Sequence, residues 1–317
     1  MAKENKTIGI LMGGFSSERE ISLKSGTAVC QALRNLYDKI IVFDFKTEQE
    51  LIEKLKKIKV DCMFNALHGR FGEDGQVQKI LDDLNILYTG SGAAACALAM
   101  NKVAAHQVFK QHGLTVPEYQ VFNKNSEQSQ GFYADFPLVV KPAMEGSSIG
   151  LSIVDDPQAL FLALKQALLL DQDIIIEKYI SGREITIGIL EDRPLPVIEV
   201  KPKNKFYDFQ SKYTVGMTEY IIPAQLPEKI IEQVQDLAIK AHKALGCDCF
   251  SRVDMIIDHQ NNPFILEVNA IPGLTETSLL PKAARALGIE FPELCQKMIR
   301  AADKIEMLDQ DMFLVNE

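Results

Sequence analysis

Several features that would assign a protein to a broad class are missing from this chain of 317 residues. Positive charge is the first. Lys and Arg total 34 against 43 Asp and Glu, a net charge of −9 with neutral His, which excludes nucleic acid as a bulk electrostatic partner. A small anion would have to be held by particular lysines and arginines. No run of about 18 apolar residues is present to span a membrane, and the opening MAKENKTIGILMGG lacks the apolar core of a secretion signal. A cytoplasmic protein is expected. The six cysteines (Cys30, Cys62, Cys96, Cys247, Cys249 and Cys295) include no CxxC pair and sit mostly in apolar segments, as reduced, buried thiols do. Only two adjacent glycines follow the first apolar segment, so the GxGxxG dinucleotide fingerprint fails. There are no internal repeats and no low-complexity segments.

What is present is the composition of an ordinary soluble protein of two or three domains, 47% hydrophobic and 24% charged. Its most informative stretch is FSRVDMIIDHQNNPFILEVNAIPGLTETSLLPK, residues 250–282. Two runs rich in branched residues flank the turn-forming DHQNNP, which predicts a β-hairpin. Alternate residues share a face, so Arg252 and Asp254 lie beside Glu267 and Asn269, while Val253, Met255, Leu266, Val268 and Ala270 are expected to point into a core. Two carboxylates and an amide oxygen offer hard oxygen ligands that suit Mg²⁺, whereas zinc would want His or Cys. A solvated polar strand face is the competing reading. The following IPGLTETS can present backbone N–H groups to an anion.

Earlier in the chain, TIGILMGG (7–14) reads as a strand running through a glycine turn into a helix, the opening of a doubly wound α/β domain. Glu18 sits at that turn, where it either favours the helix N-terminus or serves a site. Strands follow at 39–45 and 60–67, helices at about 47–58 and 76–85, and a strand at 86–92. His68, in HGRFGEDG at the ligand-facing end of the third strand, is more suspect than the other four histidines; Gly69, Gly72 and Gly75 let the backbone turn there. A single helix is expected at about 93–113, with Lys102 in its middle.

FPLVVKPAMEGSSIGLSIV (136–154) places Lys141 at the end of an apolar strand before a loop of glycines and paired hydroxyls, Ser147 and Ser148, capable of covering phosphates. The lysine either snorkels or holds an anion. DIIIEKYISGREITIGIL (173–190) holds two strands around ISGRE, after an amphipathic helix at 157–170. Glu177 and Lys178 close the first strand and Glu184 opens the second, as an adenosine site requires or as a surface ion pair allows. After a short strand at 194–200, the loop 201–220, dense in Lys and aromatics, has the length of a lid, with Lys212 and Tyr213 near its end. Helices at 227–245 and 283–305 complete the chain.

In order, GGFSSEREISLKSG, ALHGRFGEDG, YTGSGAAACALAMNK, KPAMEGSSIG, EKYISGRE, FYDFQSKY, RVDM and LEVNAIPGLTETSLLPKAA closely resemble the D-alanine–D-alanine ligases of the ATP-grasp superfamily, from about Gly9 to Ala302. The resemblance implies a three-domain ATP-grasp fold of class α/β, α+β in part: an N-terminal doubly wound α/β domain (1–95), a central domain (96–183) and a C-terminal domain (184–317) with a lid at 203–220. It implies an ADP-forming C–N ligase that phosphorylates one D-alanine and joins it to a second, for peptidoglycan precursors and so for cell wall and cell shape. D-alanine and ATP would be its small-molecule partners, and a homodimer its assembly.

Carried over residue by residue, Lys102, Lys141, Ser148, Glu177, Lys178, Ile180, Glu184 and Lys212 would line the ATP site. Asp254, Glu267 and Asn269 would hold Mg²⁺, or Mn²⁺ in its place. Glu18 resembles the residue that receives the first D-alanine's ammonium, with His68 nearby and Ser147 and Tyr213 ordering it. Arg252 and the Gly273 N–H resemble the oxyanion donors, and Ser278 with the Leu279 N–H the acceptors of the second carboxylate. The resemblance also implies that Tyr213 favours an amine over D-lactate as second substrate. The chain departs from the family at Phe209, where Tyr is common, at Lys79, where a small Gly is common, and at Ala270, where Thr or Ser is common. D-lactate ligation, a kinase that stops at the acyl phosphate and a non-catalytic ATP-binding regulator are the alternatives.

Overall fold

The computed structural model describes residues 3–124, 135–202 and 218–314. The first sheet joins β1 (Glu4–Gly13), β2 (Tyr37–Phe45) and β3 (Cys62–Asn65) in the order β2-β1-β3, all parallel. Parallel neighbours need long crossovers, here α1 (Arg19–Leu33) and α2 (Glu48–Lys57). Ile8, Ile10 and Phe64 pack with Val29 and Leu33 of α1 on one side. Leu11, Phe43 and Met63 pack on the other with Leu51 and Leu55 of α2 and with Val77 and Leu81 of α3 (Gln76–Asp83). Both faces are covered at the centre of the sheet, so Ile8–Leu11 of β1 and all of β3 are buried without alternation, whereas edge strand β2 leaves Asp38, Lys39 and Val42 exposed. The expected strand at 86–92 is reduced to one parallel bridge, Met63 to Tyr88, with the Met63 N–H donating to the Leu87 carbonyl and the Thr89 N–H to that of Met63.

The helix expected at 93–113 is two helices, α4 (Ala93–Met100) and α5 (Lys102–Gln111). Asn101 breaks it. Its backbone is extended (φ −82°, ψ 95°) and its side-chain oxygen accepts the Ala104 N–H at 3.1 Å, capping α5.

The second sheet has the order β4-β7-β5-β6 and is antiparallel: β4 (Tyr119–Asn123), β5 (Leu138–Pro142), β6 (Ser152–Val154) and β7 (Asp173–Lys178). α6 (Pro157–Ala167), capped by Asp156, buries Leu138, Val140, Ile174 and Ile176 from one face. The opposite face carries Val139, Lys141 and Glu177. Although only Tyr179–Ser181 separates β7 from the next strand, the two do not pair; β8 (Gly182–Leu190) opens a third sheet.

That sheet runs β11-β10-β8-β12-β13, with β9 (Arg193–Pro194) paired to β8. Its other strands are β10 (Ile198–Pro202), β11 (Thr218–Ile221), β12 (Phe250–Asp258) and β13 (Pro263–Asn269). Ile185, Ile187, Val253, Met255, Ile265 and Val268 face a core closed by Val234, Ala238 and Ala241 of α7 (Glu228–Ala244). The expected terminal helix at 283–305 is likewise two, α8 (Leu279–Arg285) and α9 (Phe291–Leu314), parted where Gly288 takes a left-handed φ of 79°. α9 returns to the first sheet. Leu294, Met298 and Ile299 join its core, and Lys6–Asp303 and Arg300–Glu4 ion pairs, each 2.7 Å, flank the contact.

Candidate active site

The hairpin β12–β13 forms as its sequence predicts. Asp258 organises the turn by accepting the N–H groups of Gln260 at 2.9 Å and Asn262 at 2.7 Å. Register pairs Arg252 with Asn269 and Asp254 with Glu267, which collects the four polar groups on one face. One residue departs from expectation. Between Asp254 and Met255 the register shifts, so that Met255 pairs with Ile265; this bulge moves Leu266 out of the core and onto the same face as Glu267. Ile265 fills the core position instead.

That face and the uncovered face of the second sheet enclose a cavity of about 590 Å³, within the range of small-molecule sites. From the second sheet come Val139, Lys141, Glu177 and Lys178; from the third come Glu184, Glu199, Lys201, Asp254, Ile256, Leu266 and Glu267; Lys102 enters from α5, and Glu145 and Ser148 from the β5–β6 loop. Tyr179 and Ile180 form the link between sheets. Of the residues expected to line an ATP site, the cavity gathers Lys102, Lys141, Ser148, Glu177, Lys178, Ile180 and Glu184. Lys212 lies outside the described residues, as do Phe209 and Tyr213.

Glu177 and Lys178 are not a surface ion pair. Glu177 is 2% exposed, and its partner is Lys141, Nζ to Oε2 at 2.9 Å. Burial works to raise the Glu177 carboxyl, but Lys141 and His106 overcome it and hold it below its usual range. His106 Nε2 stands 3.0 Å from Oε1 on the side of the carboxylate away from Lys141. The sequence reading passed over His106. Its position four residues after Lys102 on α5, hence on the same helical face, was the available signal.

The break at Asn101 starts α5 at Lys102, whose Nζ reaches the Glu145 carbonyl at 2.7 Å and Glu267 Oε2 at 3.4 Å. Arg252 grips Asp254 with two hydrogen bonds, 2.9 and 2.7 Å. Thr186 Oγ1 and Asn269 Nδ2 also donate to that carboxylate, at 2.6 and 3.1 Å. Thr186 was another residue not singled out, although alternation along EITIGIL places it on the cavity side of β8. Asp254, Glu267 and Asn269 therefore form one hard-oxygen patch whose charge Arg252 and Lys102 balance. The donor set, two carboxylates and an amide oxygen, fits a Mg²⁺-class ion; no group of three or more His, Cys, Asp or Glu that could hold a metal ion occurs among the described residues.

Beside the cavity lies a second cluster at the C-terminal ends of β1 and β3. Glu18, 6% exposed, turns its carboxylate away from the end of α1 and accepts from Ser147 Oγ. His68 is fixed between Ser25 Oγ and Glu73 Oε1, each at 2.9 Å. Gly69 sits over both with φ 74°, and a Cβ there would stand 3.2 Å from Glu18 Oε2. At the other end of the hairpin, Ser278 Oγ accepts the Thr275 N–H at 3.1 Å, and a Cβ at Gly273 would stand 3.2 Å from it. Leu279 begins α8 and is buried. Burial pushes the Cys247 and Cys249 thiols up to about 11, so thiolate is scarce at neutral pH.

The family described as "D-ala D-ala ligase C-terminus" matches residues 108–300, and "D-ala D-ala ligase N-terminus" matches 43–91. The chain belongs to the D-alanine–D-alanine ligase family. A D-alanine–D-alanine ligase of Syntrophotalea carbinolica is 47% identical over 300 residues, spanning 94% of this chain and 97% of that protein. That of Geobacter sulfurreducens is 45% identical, spanning 93% and 94%. Among solved structures, the ATP complex of the Bacillus anthracis ligase superposes with a TM-score of 0.85 at 32% identity, covering 96% of this chain and 99% of that one. A D-Ala:D-Ser ligase of Enterococcus faecalis, VanG, gives 0.79 at 30%, covering 94% and 100%. The fold is that of the ATP-grasp ligases.

Proposed function

We propose that this protein joins two D-alanine molecules at the expense of ATP, forming D-alanyl-D-alanine for peptidoglycan precursors, in the cytoplasm and as a homodimer. The observation that carries the reading is the meeting, in one cavity, of Lys102 and Lys141 with the Asp254–Glu267–Asn269 patch. Lysines and a hard-oxygen patch together answer the needs of phosphoryl transfer, which asks for charge neutralisation and positioning more than for a protein nucleophile. Three domains, 1–95, 96–183 and 184–317, divide the work.

ATP occupies the cavity between the second and third sheets. Lys141 meets phosphate oxygens from its anchored position on Glu177, with Lys102 adding charge and Glu184 facing the ribose. Asp254, Glu267 and Asn269 hold Mg²⁺, which when bound neutralises phosphate charge as a Lewis acid. Glu18 receives the ammonium of the first D-alanine, with Ser147 and His68 ordering that end of the site. The first carboxylate then attacks the γ-phosphorus and ADP leaves, giving an acyl phosphate. The amine of the second D-alanine, its carboxylate on Ser278 and the Leu279 N–H, attacks the acyl carbon after losing a proton, and phosphate departs. Arg252, its guanidinium plane fixed by two bonds to Asp254, and the Gly273 N–H stabilise the tetrahedral oxyanion.

The test supplies ATP, Mg²⁺ and D-alanine and follows ADP, phosphate and product mass, with L-alanine, D-serine and D-lactate in turn. ADP matched one for one by D-alanyl-D-alanine, and absent with L-alanine, is expected. ADP without dipeptide would overturn the reading in favour of a kinase. Absence of ADP would favour a non-catalytic binder, and preference for D-serine or D-lactate would reassign the second substrate.

A further inference from the structure

One ion pair spans the two clusters and has no part in the chemistry above. Arg70 stands two residues after His68, on the loop that follows β3, and its Nη2 lies 2.8 Å from Glu145 Oε1 on the β5–β6 loop. The backbone carbonyl of the same Glu145 receives Lys102 Nζ at 2.7 Å. Two residues further on, Ser147 donates to Glu18, and Ser148 faces the cavity. The segment from Glu145 to Ser148 therefore touches the first-sheet cluster through Glu145 and Ser147, and lines the cavity with Glu145 and Ser148.

Its backbone is held in an unusual state. Ser147 and Ser148 have φ of 52° and 59° in succession, a left-handed conformation disfavoured for any residue with a Cβ. Such geometry persists where the surroundings fix it, and the contacts that fix it include Arg70 at one end, Glu18 in the middle and Asp171, which accepts the Met144 N–H at 2.7 Å, just before. Losing a tether would release this strain, so an undocked arrangement of the segment belongs to the proposal below. Ligands on either side bias the same choice.

We propose that Arg70 is a positioning residue which, through Glu145, docks residues 145–148 so that binding of the amino acid at the Glu18–His68 cluster and of nucleotide in the cavity strengthen one another. The inference rests on the site assignments made above. Arg70 touches neither ligand in this scheme. Its side chain is half exposed, so the pair contributes little to the stability of the fold, and its effect lies in the coupling.

Full-length protein would be titrated with the β,γ-methylene analogue of ATP and Mg²⁺, with and without saturating D-alanine, and with D-alanine in the reciprocal order. In the native chain each ligand should tighten the other by on the order of fivefold or more. Arg70→Ala should bring that ratio close to 1, keep each separate Kd within about threefold and leave the melting temperature in place. Arg70→Lys, and the exchange Arg70→Glu with Glu145→Arg, should restore most of the ratio. An Arg70→Ala protein that keeps the full ratio would overturn the proposal, because the Ser147–Glu18 contact would then suffice. Equal loss of both separate affinities, or a lowered melting temperature, would reduce the pair to a structural tie. A native ratio near 1 would refute the coupling alone, and failure of the native chain to bind the analogue would refute the cavity assignment beneath it.

Discussion

Replacing Lys141 with Met asks whether charge holds the cavity wall together. At 2.9 Å, two unit charges attract by about 6 kcal/mol at an effective dielectric near 20. Burial of both groups opposes this, yet the Glu177 carboxyl still lies below its usual value, so attraction exceeds the burial penalty. Met keeps the stem and removes the charge. Glu177 is then left buried with His106 alone, and the ligand-free protein should lose about 3–5 kcal/mol, a fall of roughly 1 M or more in urea midpoint. Far-UV circular dichroism is the suitable probe, since the chain has no tryptophan. The sign with pH follows from the depressed carboxyl. Its stabilising contribution is present above the ordinary value of 4.5 and is lost as pH falls below it, because a protonated Glu177 needs no counter-charge. The gap between native and Lys141→Met proteins should therefore narrow in acid. Adding Glu177→Gln to Lys141→Met should recover part of the loss. A single-variant loss below about 1 kcal/mol, or a gap independent of pH, would refute the reasoning.

Arg252→Ala should reduce kcat by on the order of 10²-fold or more if the guanidinium is an oxyanion donor; a mild effect in steady-state assays would remove it from that role. Glu267→Ala and Asn269→Ala should abolish turnover at ordinary Mg²⁺ while circular dichroism stays native, and unchanged activity across a Mg²⁺ series would sink the metal assignment. Asn101→Ala removes the α5 cap at a cost of about 1 kcal/mol and should raise the KM for ATP by letting Lys102 shift; a stability loss with KM untouched would separate the cap from the site. Buried His242, bonded to Ser251 Oγ at 2.7 Å, has its pKa lowered from 6.5 to about 4 by burial. Its neutral form therefore stabilises the fold fully above pH 6.5, and about 3 kcal/mol is lost as pH falls towards 4. Calorimetry of His242→Asn should show a shallower acid dependence than the native chain, and parallel curves would refute this.

The sequence by itself determined the elements whose information is local. Alternation along SRVDMII and FILEVNAI, with DHQNNP between, is enough for a hairpin with Arg252, Asp254, Glu267 and Asn269 on one face, because strand period and turn chemistry need nothing from the rest of the chain. The strand, glycine turn and helix that open the first domain are legible for the same reason, whereas the order β2-β1-β3 is not. Tertiary structure decided what depends on partners distant in sequence. Leu266 faces the cavity because β13 bulges where it pairs with β12, a register that no single strand encodes. Asn101 carries a cap signal in its own identity, but only the fold shows that it splits a helix and sets Lys102 against Glu145 and Glu267. The stretch 86–92 has the residues of a strand but meets β3 at a single bridge. In sequence, Glu177 fits either the edge of an adenosine site or a Glu-Lys surface pair; β5 and α5 decide between them by bringing Lys141 and His106 against it and removing all three from water. Sequence fixes which groups can carry charge and which way alternate residues turn, whereas the burial that decides how strongly those charges act is a property of the packed sheets alone.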